Sequence, residues 1–437
     1  MYLRMKPDGE VFQMHMNRRK NPGFVYLILE SVVFTGVVYL YYPFIQMFAK
    51  RMGADDIYIA LLNAVPPLVA ILVLIPCSML IERINYKKRT ILVLLFINSL
   101  FYVIIAFVPA IPHQIRVVSY VVLIGLMNWP GALYNSTMQS FLADNFEGLR
   151  LNKIVSMRSK YGTFFGLIMV LITGLLLTEV PKSDGERLFL YQIFYGACFV
   201  LTLLQMYIFS RINLPQNIRE DIKPAFSILN SSVLKDIISY KPYFIFCICG
   251  FAFYLAWQMG WPLLSIYFIN YARLNEFQIG LLSVVTGITQ FLTYSVWNRL
   301  IDKKGCKVII IFGAAGLAIN PFFFTTKLNF AAILAAYVVL GVSQGCYTLC
   351  VYCGLLEVLP PGGNTVYISA FNMLTNITGF IAPLIGVWIY KQTNIYLALG
   401  IIGAFRLIAV LLYIIRWKYD KKKRGRKIPV CCSEGIR

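Results

Sequence analysis

Apolar residues run in long blocks separated by short charged or turn-rich breaks. Twelve blocks are long enough to cross a hydrocarbon layer of about 30 Å, which takes roughly 20 helical residues. They lie near residues 24–48, 57–81, 91–108, 117–142, 154–178, 188–209, 242–269, 277–301, 308–324, 330–356, 365–390 and 395–415. Each is predicted to be a helix, because an isolated strand in lipid leaves its backbone N–H and C=O groups unpaired. The expected fold class is therefore an all-α membrane protein with twelve transmembrane helices.

A second pattern lies on top of the first. Ser78, Leu80, Ile81, Glu82, Arg83, Asn85 and Lys87 are echoed 220 residues later by Asn298, Leu300, Ile301, Asp302, Lys303, Gly305 and Lys307. The same offset aligns Asp56, Ile59, Leu61 and Leu62 with Glu276, Ile279, Leu281 and Leu282. Further along, an offset of 213 pairs Asp144 with Glu357, Ser156 with Ser369 and Gly166 with Gly379, the turn at 327–329 being shorter than that at 109–116. Such a repeat predicts two pseudo-symmetric six-helix bundles facing each other across a central site. The expected organisation is an N-terminal segment 1–20, a first bundle 21–210, a linker 211–241, a second bundle 242–417 and a basic tail 418–437.

Composition supports lipid as the solvent: 59% of the 437 residues are hydrophobic and 14% charged, with a mean hydropathy of +0.70. A net charge of +21 would suggest nucleic acid in a soluble protein, but its distribution changes that reading. Of the 40 Lys and Arg, 31 fall on the side that holds both termini, 8 on the other, and Arg406 lies within a span. That asymmetry predicts a multi-pass cell-membrane protein with both termini cytoplasmic and no nucleic-acid partner. The first apolar block has no small-residue cleavage site after it and is expected to stay as a helix.

Charge and cysteine placement add little chemistry. Linker residues Phe226 to Ile238 have the pattern of a short amphipathic helix, and the basic run from Lys418 to Lys427 suits a solvated topology signal or contact with anionic lipid. Cys431 and Cys432 beside it are candidates for acylation. The ten cysteines show no disulfide framework, and Cys350 and Cys353 are read as small packing residues of a helix. Neither a metal nor a cofactor site is expected, and a monomer is the expected assembly.

Twelve spans in two halves, cytoplasmic termini and a charged loop after spans two and eight resemble the major facilitator superfamily of secondary transporters, over roughly residues 20–417. Leu80, Glu82, Arg83 and Lys87 match the family's Gly-x-Leu-x-Asp-Arg-x-Gly-Arg-Arg type motif, whereas Ser78, Asn85 and Tyr86 depart from it. The second copy keeps Leu300, Asp302, Lys303, Gly305 and Lys307. The resemblance implies that Glu82, Arg83, Lys87, Asp302, Lys303 and Lys307 help latch the bundles on the cytoplasmic side. Asp144, Glu147 and Arg150 look like the family's gate elements after span four. Their counterpart Glu357 has Gly363 where an equivalent of Arg150 would stand. Span four carries no Arg beyond Arg116, and span five has Gly162, Gly166 and Gly174 but no proline, both departures from the family's proton-driven drug exporters.

The resemblance also implies that helices one, four, seven and ten line the central pathway. Asn128, Asn135 and Gln139 share one face of span four. Tyr254, Gln258, Trp261 and Ser265 do so in span seven, where Pro262 can loosen the helix, and Gln344 with Tyr347 in span ten. Amides and aromatic rings of this kind suit a small organic solute, or else bond helix to helix. Glu30 is the acid placed inside a pathway helix. It is either a proton site, in which case Glu30→Gln abolishes gradient-driven uptake while substrate still binds, or a salt-bridged structural residue. Arg406 is expected to pair within the second bundle.

The expected function is secondary active transport of a small organic solute by alternating access, with membrane lipid and the solute as partners and protons as the candidate coupling ion. Uptake and efflux stay open. An intramembrane enzyme is disfavoured because His15 and His113 both lie outside the spans. A non-transporting receptor or scaffold on the same fold is the alternative class, which solute flux in vesicles separates.

Overall fold

The computed structural model describes residues 22–83, 86–146, 148–212, 239–359 and 364–425, without the side chains of 22, 73–83, 143, 148–150, 152, 364–366, 369 and 422–425. The linker helix, the tail from Arg426 onward, His15, Glu147 and the side chains of Glu82, Arg83 and Arg150 thus lie outside the described residues. Within them the chain folds into twelve long helices. In the first half these are α1 (Pro22–Tyr41), α2 (Asp56–Arg83), α3 (Lys87–Ala106), α4 (His113–Asn145), α5 (Gly148–Glu179) and α6 (Asp184–Ser210). In the second half they are α7 (Lys241–Ile266), α8 (Glu276–Lys304), α9 (Cys306–Phe323), α10 (Phe330–Glu357), α11 (Asn364–Gln392) and α12 (Ile395–Gly425). A tight turn at Tyr42–Phe44 carries α1 into a short helix, Ile45–Arg51, and a wide turn at Tyr267–Tyr271 extends α7.

Eleven described stretches are long and apolar enough to cross a membrane, and the remaining helix, α2, is 28 residues long. Helices outrun the apolar blocks at their polar ends, most of all α12, which continues to Gly425 because solvated charge does not interrupt intrahelical hydrogen bonding. Alternate helix starts are sharply cut. Ser183 accepts from the Glu186 N–H, Asn275 forms a reciprocal cap with Gln278, Asn329 accepts from Ala332 N–H and Asn394 from Leu397 N–H. Each satisfies a backbone donor that the first helical turn leaves free. All four lie at the same end of the molecule, here termed the far face. The opposite end, where α1 begins and α12 finishes, is the terminal face.

The two halves pack alike. In the first, α1 packs on α5 and α6, α2 on α4, and α3 on α4 and α6; in the second, α7 packs on α11 and α12, α8 on α10, and α9 on α10 and α12. Between halves, α2 meets α11 and α5 meets α8, which are the same contact under the six-helix shift. Side chains obey the repeat as well: a Cβ on Gly379 would sit 3.0 Å from Pro67 Cγ, and one on Gly287 would sit 3.0 Å from Leu167 Cδ2. Pro67 and Gly287 are 220 residues apart, and Leu167 is one residue from the position that the offset of 213 assigns to Gly379.

Close helix approach is set by small residues, as membrane packing requires. A Cβ on Gly386 of α11 would lie 2.2 Å from the Met259 carbonyl oxygen of α7. Gly386→Ala is therefore expected to cost about 1–3 kcal/mol by forcing the two helices apart, read as a lower melting temperature of the purified protein. An unshifted melting curve would contradict this packing.

Candidate functional site

On the far face the two halves are clasped by a buried carboxylate. Glu276 begins α8 and is 1% exposed, held by Arg51 at 3.1 Å and by Arg187 at 3.9 Å, both from the first half. Asp184 joins the two arginines from the outside, at 3.1 Å from each. Alongside, the Phe277 N–H donates to Thr178 Oγ1 at 3.0 Å, and a Cβ on Gly174 would stand 3.0 Å from the Glu276 carbonyl oxygen. Asp56, the repeat partner of Glu276, makes the equivalent contact from the other side, accepting from Asn270 at 3.0 Å and from Tyr390 at 3.2 Å. Every hydrogen bond and ion pair between described residues of the two halves lies in this layer.

Beneath the clasp is a cavity of about 370 Å³. The first half supplies Tyr42, Gln46 and Asn63; the second supplies Trp257, Trp261, Ser265, Ser283, Asn320, Tyr337, Gln344 and Arg406, with apolar side chains between them. Its wall is aromatic and amide-rich, and no carboxylate lines it among the described residues. Arg406, 1% exposed, gives hydrogen bonds to three main-chain carbonyls, of Leu317 at 2.9 Å, Trp257 at 2.9 Å and Ala256 at 3.3 Å. The Leu317 carbonyl is the one that Pro321, lacking an N–H, leaves unpaired in α9. Gly260 makes the berth, since a Cβ there would stand 2.3 Å from Arg406 Nη2.

The sequence profile described as Major Facilitator Superfamily matches residues 27–247 and 246–430, one half each. The chain belongs to the major facilitator superfamily. As a member it is a secondary transporter and not an enzyme. No curated protein sequence matches it. Among solved structures, nucleoside transporter NupG is similar with a TM-score of 0.66 at 13% identity, covering 91% of this chain and 99% of that one. A mutant form of NupG gives 0.70 at 11% identity over 90% and 99%. A POT family transporter in complex with a thioalcohol-conjugated peptide gives 0.64 at 13% identity over 92% and 96%. At these identities the likeness is one of fold.

In this superfamily member the pathway residues expected from sequence divide into three groups. Trp261 and Gln344 line the cavity. Asn135 and Gln139 stand exposed on α4, on the open face where a Cβ at Gly131 would meet nothing, while Asn128 on that face donates to the Pro66 carbonyl at 2.7 Å. Tyr254, Gln258 and Tyr347 serve the packing of the second half. Tyr347 is fully buried with its hydroxyl 3.1 Å from that of Tyr413, Tyr254 packs on it, and Gln258 reaches the Thr375 carbonyl at 3.4 Å.

Glu30 does not line the cavity. It is wholly buried between α1, α4, α5 and α6, paired with Arg158 at 2.8 Å, and accepts from Gln205 at 2.7 Å and from the Tyr134 hydroxyl. Arg158 also donates to the Leu27 carbonyl at 2.9 Å. The signal for this cation was its place inside the block 154–178, where it counts among the terminal-side charges by position yet cannot reach water.

Of the terminal-face gate candidates, Lys87 pairs with Asp144 within the first half and Lys307 with Asp420 at 2.5 Å within the second. Asp302, Lys303 and Glu357 are exposed. Lys307 thus takes an acid on α12, although the repeat would give it Glu357. The clasp residues Arg51, Asp184 and Arg187 went unremarked in the sequence, where two of them counted only as sparse far-side cations.

Proposed function

We propose that this transporter carries a small organic solute across the cell membrane by alternating access, with both termini cytoplasmic and the far face outward. One observation carries the reading: an aromatic, amide-lined cavity between the halves, capped by a clasp that is where the described residues of the two halves exchange hydrogen bonds and ion pairs. In this conformation the outward route is shut, and opening to the outside requires Glu276 to leave Arg51 and Arg187. The terminal-side excess of Lys and Arg supports the orientation. The far-face surface carries few cations of its own, consistent with translocation of its loops.

Glu30 is read as a brace of the first half, since its carboxylate is committed to Arg158, Tyr134 and Gln205 away from the cavity. The test is solute flux into proteoliposomes. Trp261→Ala, which removes an aromatic wall, is expected to weaken the half-saturating solute concentration about tenfold, or about 1.4 kcal/mol, without loss of folded protein. Binding with no flux of any solute would favour a receptor, and an unaltered Trp261→Ala profile would place the pathway elsewhere.

A further inference from the structure

Arg406 presents an electrostatic problem that its hydrogen bonds do not solve. A guanidinium has five N–H donors and a full positive charge. Three carbonyls satisfy three donors but neutralise no charge. Among the described residues of the second half the acids are Glu276, Asp302, Glu357 and Asp420, all near helix ends. Asp420, on the same helix, is 14 residues along, which at 1.5 Å per residue is about 21 Å away. A charge this buried is normally paired or bound to a counter-ion.

The remaining donors, one on each terminal nitrogen, match what a carboxylate accepts from an arginine fork. One turn beyond the Leu317 carbonyl, Asn320 also lines the cavity, fully buried, with its Oδ1 unpartnered. Trp257 and Trp261 stand beside them as an apolar wall.

We propose that the cavity is an organic-anion site. A monocarboxylate pairs with Arg406, its planar apolar body packs on Trp257 and Trp261, and a neighbouring N–H or O–H group donates to Asn320 Oδ1. The inference deepens the transport reading and rests on it only for the claim that the bound anion moves. A guanidinium present solely to cap carbonyls predicts no preference for charge.

Matched pairs separate the two. Full-length protein in nanodiscs is titrated with phenylacetate, indole-3-acetate and 4-hydroxyphenylacetate, each against its carboxamide, following tryptophan fluorescence. At least one carboxylate is expected to bind ten times or more tightly than its amide, and Arg406→Gln to erase the preference. Equal or tighter binding of every amide, absence of carboxylate binding, or a preference that survives Arg406→Gln overturns the proposal. Should Arg406→Gln not fold, Trp261→Ala serves instead: weakened carboxylate binding supports the site, and unchanged binding overturns it. Flux is scored separately in proteoliposomes. Charge-selective binding without flux sinks the transport reading and leaves the anion site standing, whereas flux of neutral solutes with carboxylates excluded does the reverse.

Discussion

Glu30→Gln is expected to cost about 3–5 kcal/mol of folding stability, because it leaves the Arg158 guanidinium buried without its counter-ion. The carboxylate has no exposed surface, and Arg158 is 9% exposed, so water cannot replace the lost partner. Two further hydrogen bonds, from Tyr134 and Gln205, converge on Oε1, the oxygen opposite the one that Arg158 holds, and are weakened with the loss of charge. The measurement is folded, monodisperse yield and melting temperature after detergent extraction. Replacing both members, Glu30→Met with Arg158→Leu, is expected to recover most of the loss, since removing a buried pair together strands no charge. Recovery would identify a brace. A stable Glu30→Gln protein that loses only its gradient-driven uptake would instead make Glu30 the proton site that its position in the first span first suggested.

That contrast shows where sequence reasoning stops. Helix number and the duplicated plan were legible because lipid imposes one rule on every span and because acids at repeat positions, Asp56 with Glu276 and Glu82 with Asp302, keep a fixed offset. Partner choice was not legible, being a property of packing. Glu276 was visible as the copy of Asp56, yet only the fold brings Arg51 and Arg187 to it from a segment more than 200 residues away and from the neighbouring α6. Gln344 and Tyr347 share a face by spacing, but three residues rotate about 60° from perfect register, and the cavity edge falls between them. Arg406 was read as internally paired. It does bond within the second half, to carbonyls, one of which Pro321 exposes in a helix distant in sequence.

The clasp supplies the prediction with the greatest consequence for transport. Glu276→Gln keeps the size of the side chain and an acceptor oxygen but removes the charge, so Arg51 and Arg187 are left facing each other with only Asp184 between them. Truncating one partner of a buried charged contact costs about 2–5 kcal/mol, and even the lower figure moves a two-state equilibrium about thirtyfold. The outward route should therefore open. A cysteine introduced at Ser283 in the cavity wall is expected to react at least ten times faster with a membrane-impermeant thiol reagent applied to the far face in the Glu276→Gln background than in the parent. Asp184→Asn should change the rate little, because that carboxylate is 75% exposed and a surface ion pair contributes about 0–1 kcal/mol. The difference between the two variants is the diagnostic quantity, since a general loosening of the loops would raise both rates. If labelling in Glu276→Gln stays as slow as in the parent, the halves are held shut by the apolar contacts of α2 with α11 and α5 with α8, and the carboxylate is not the clasp.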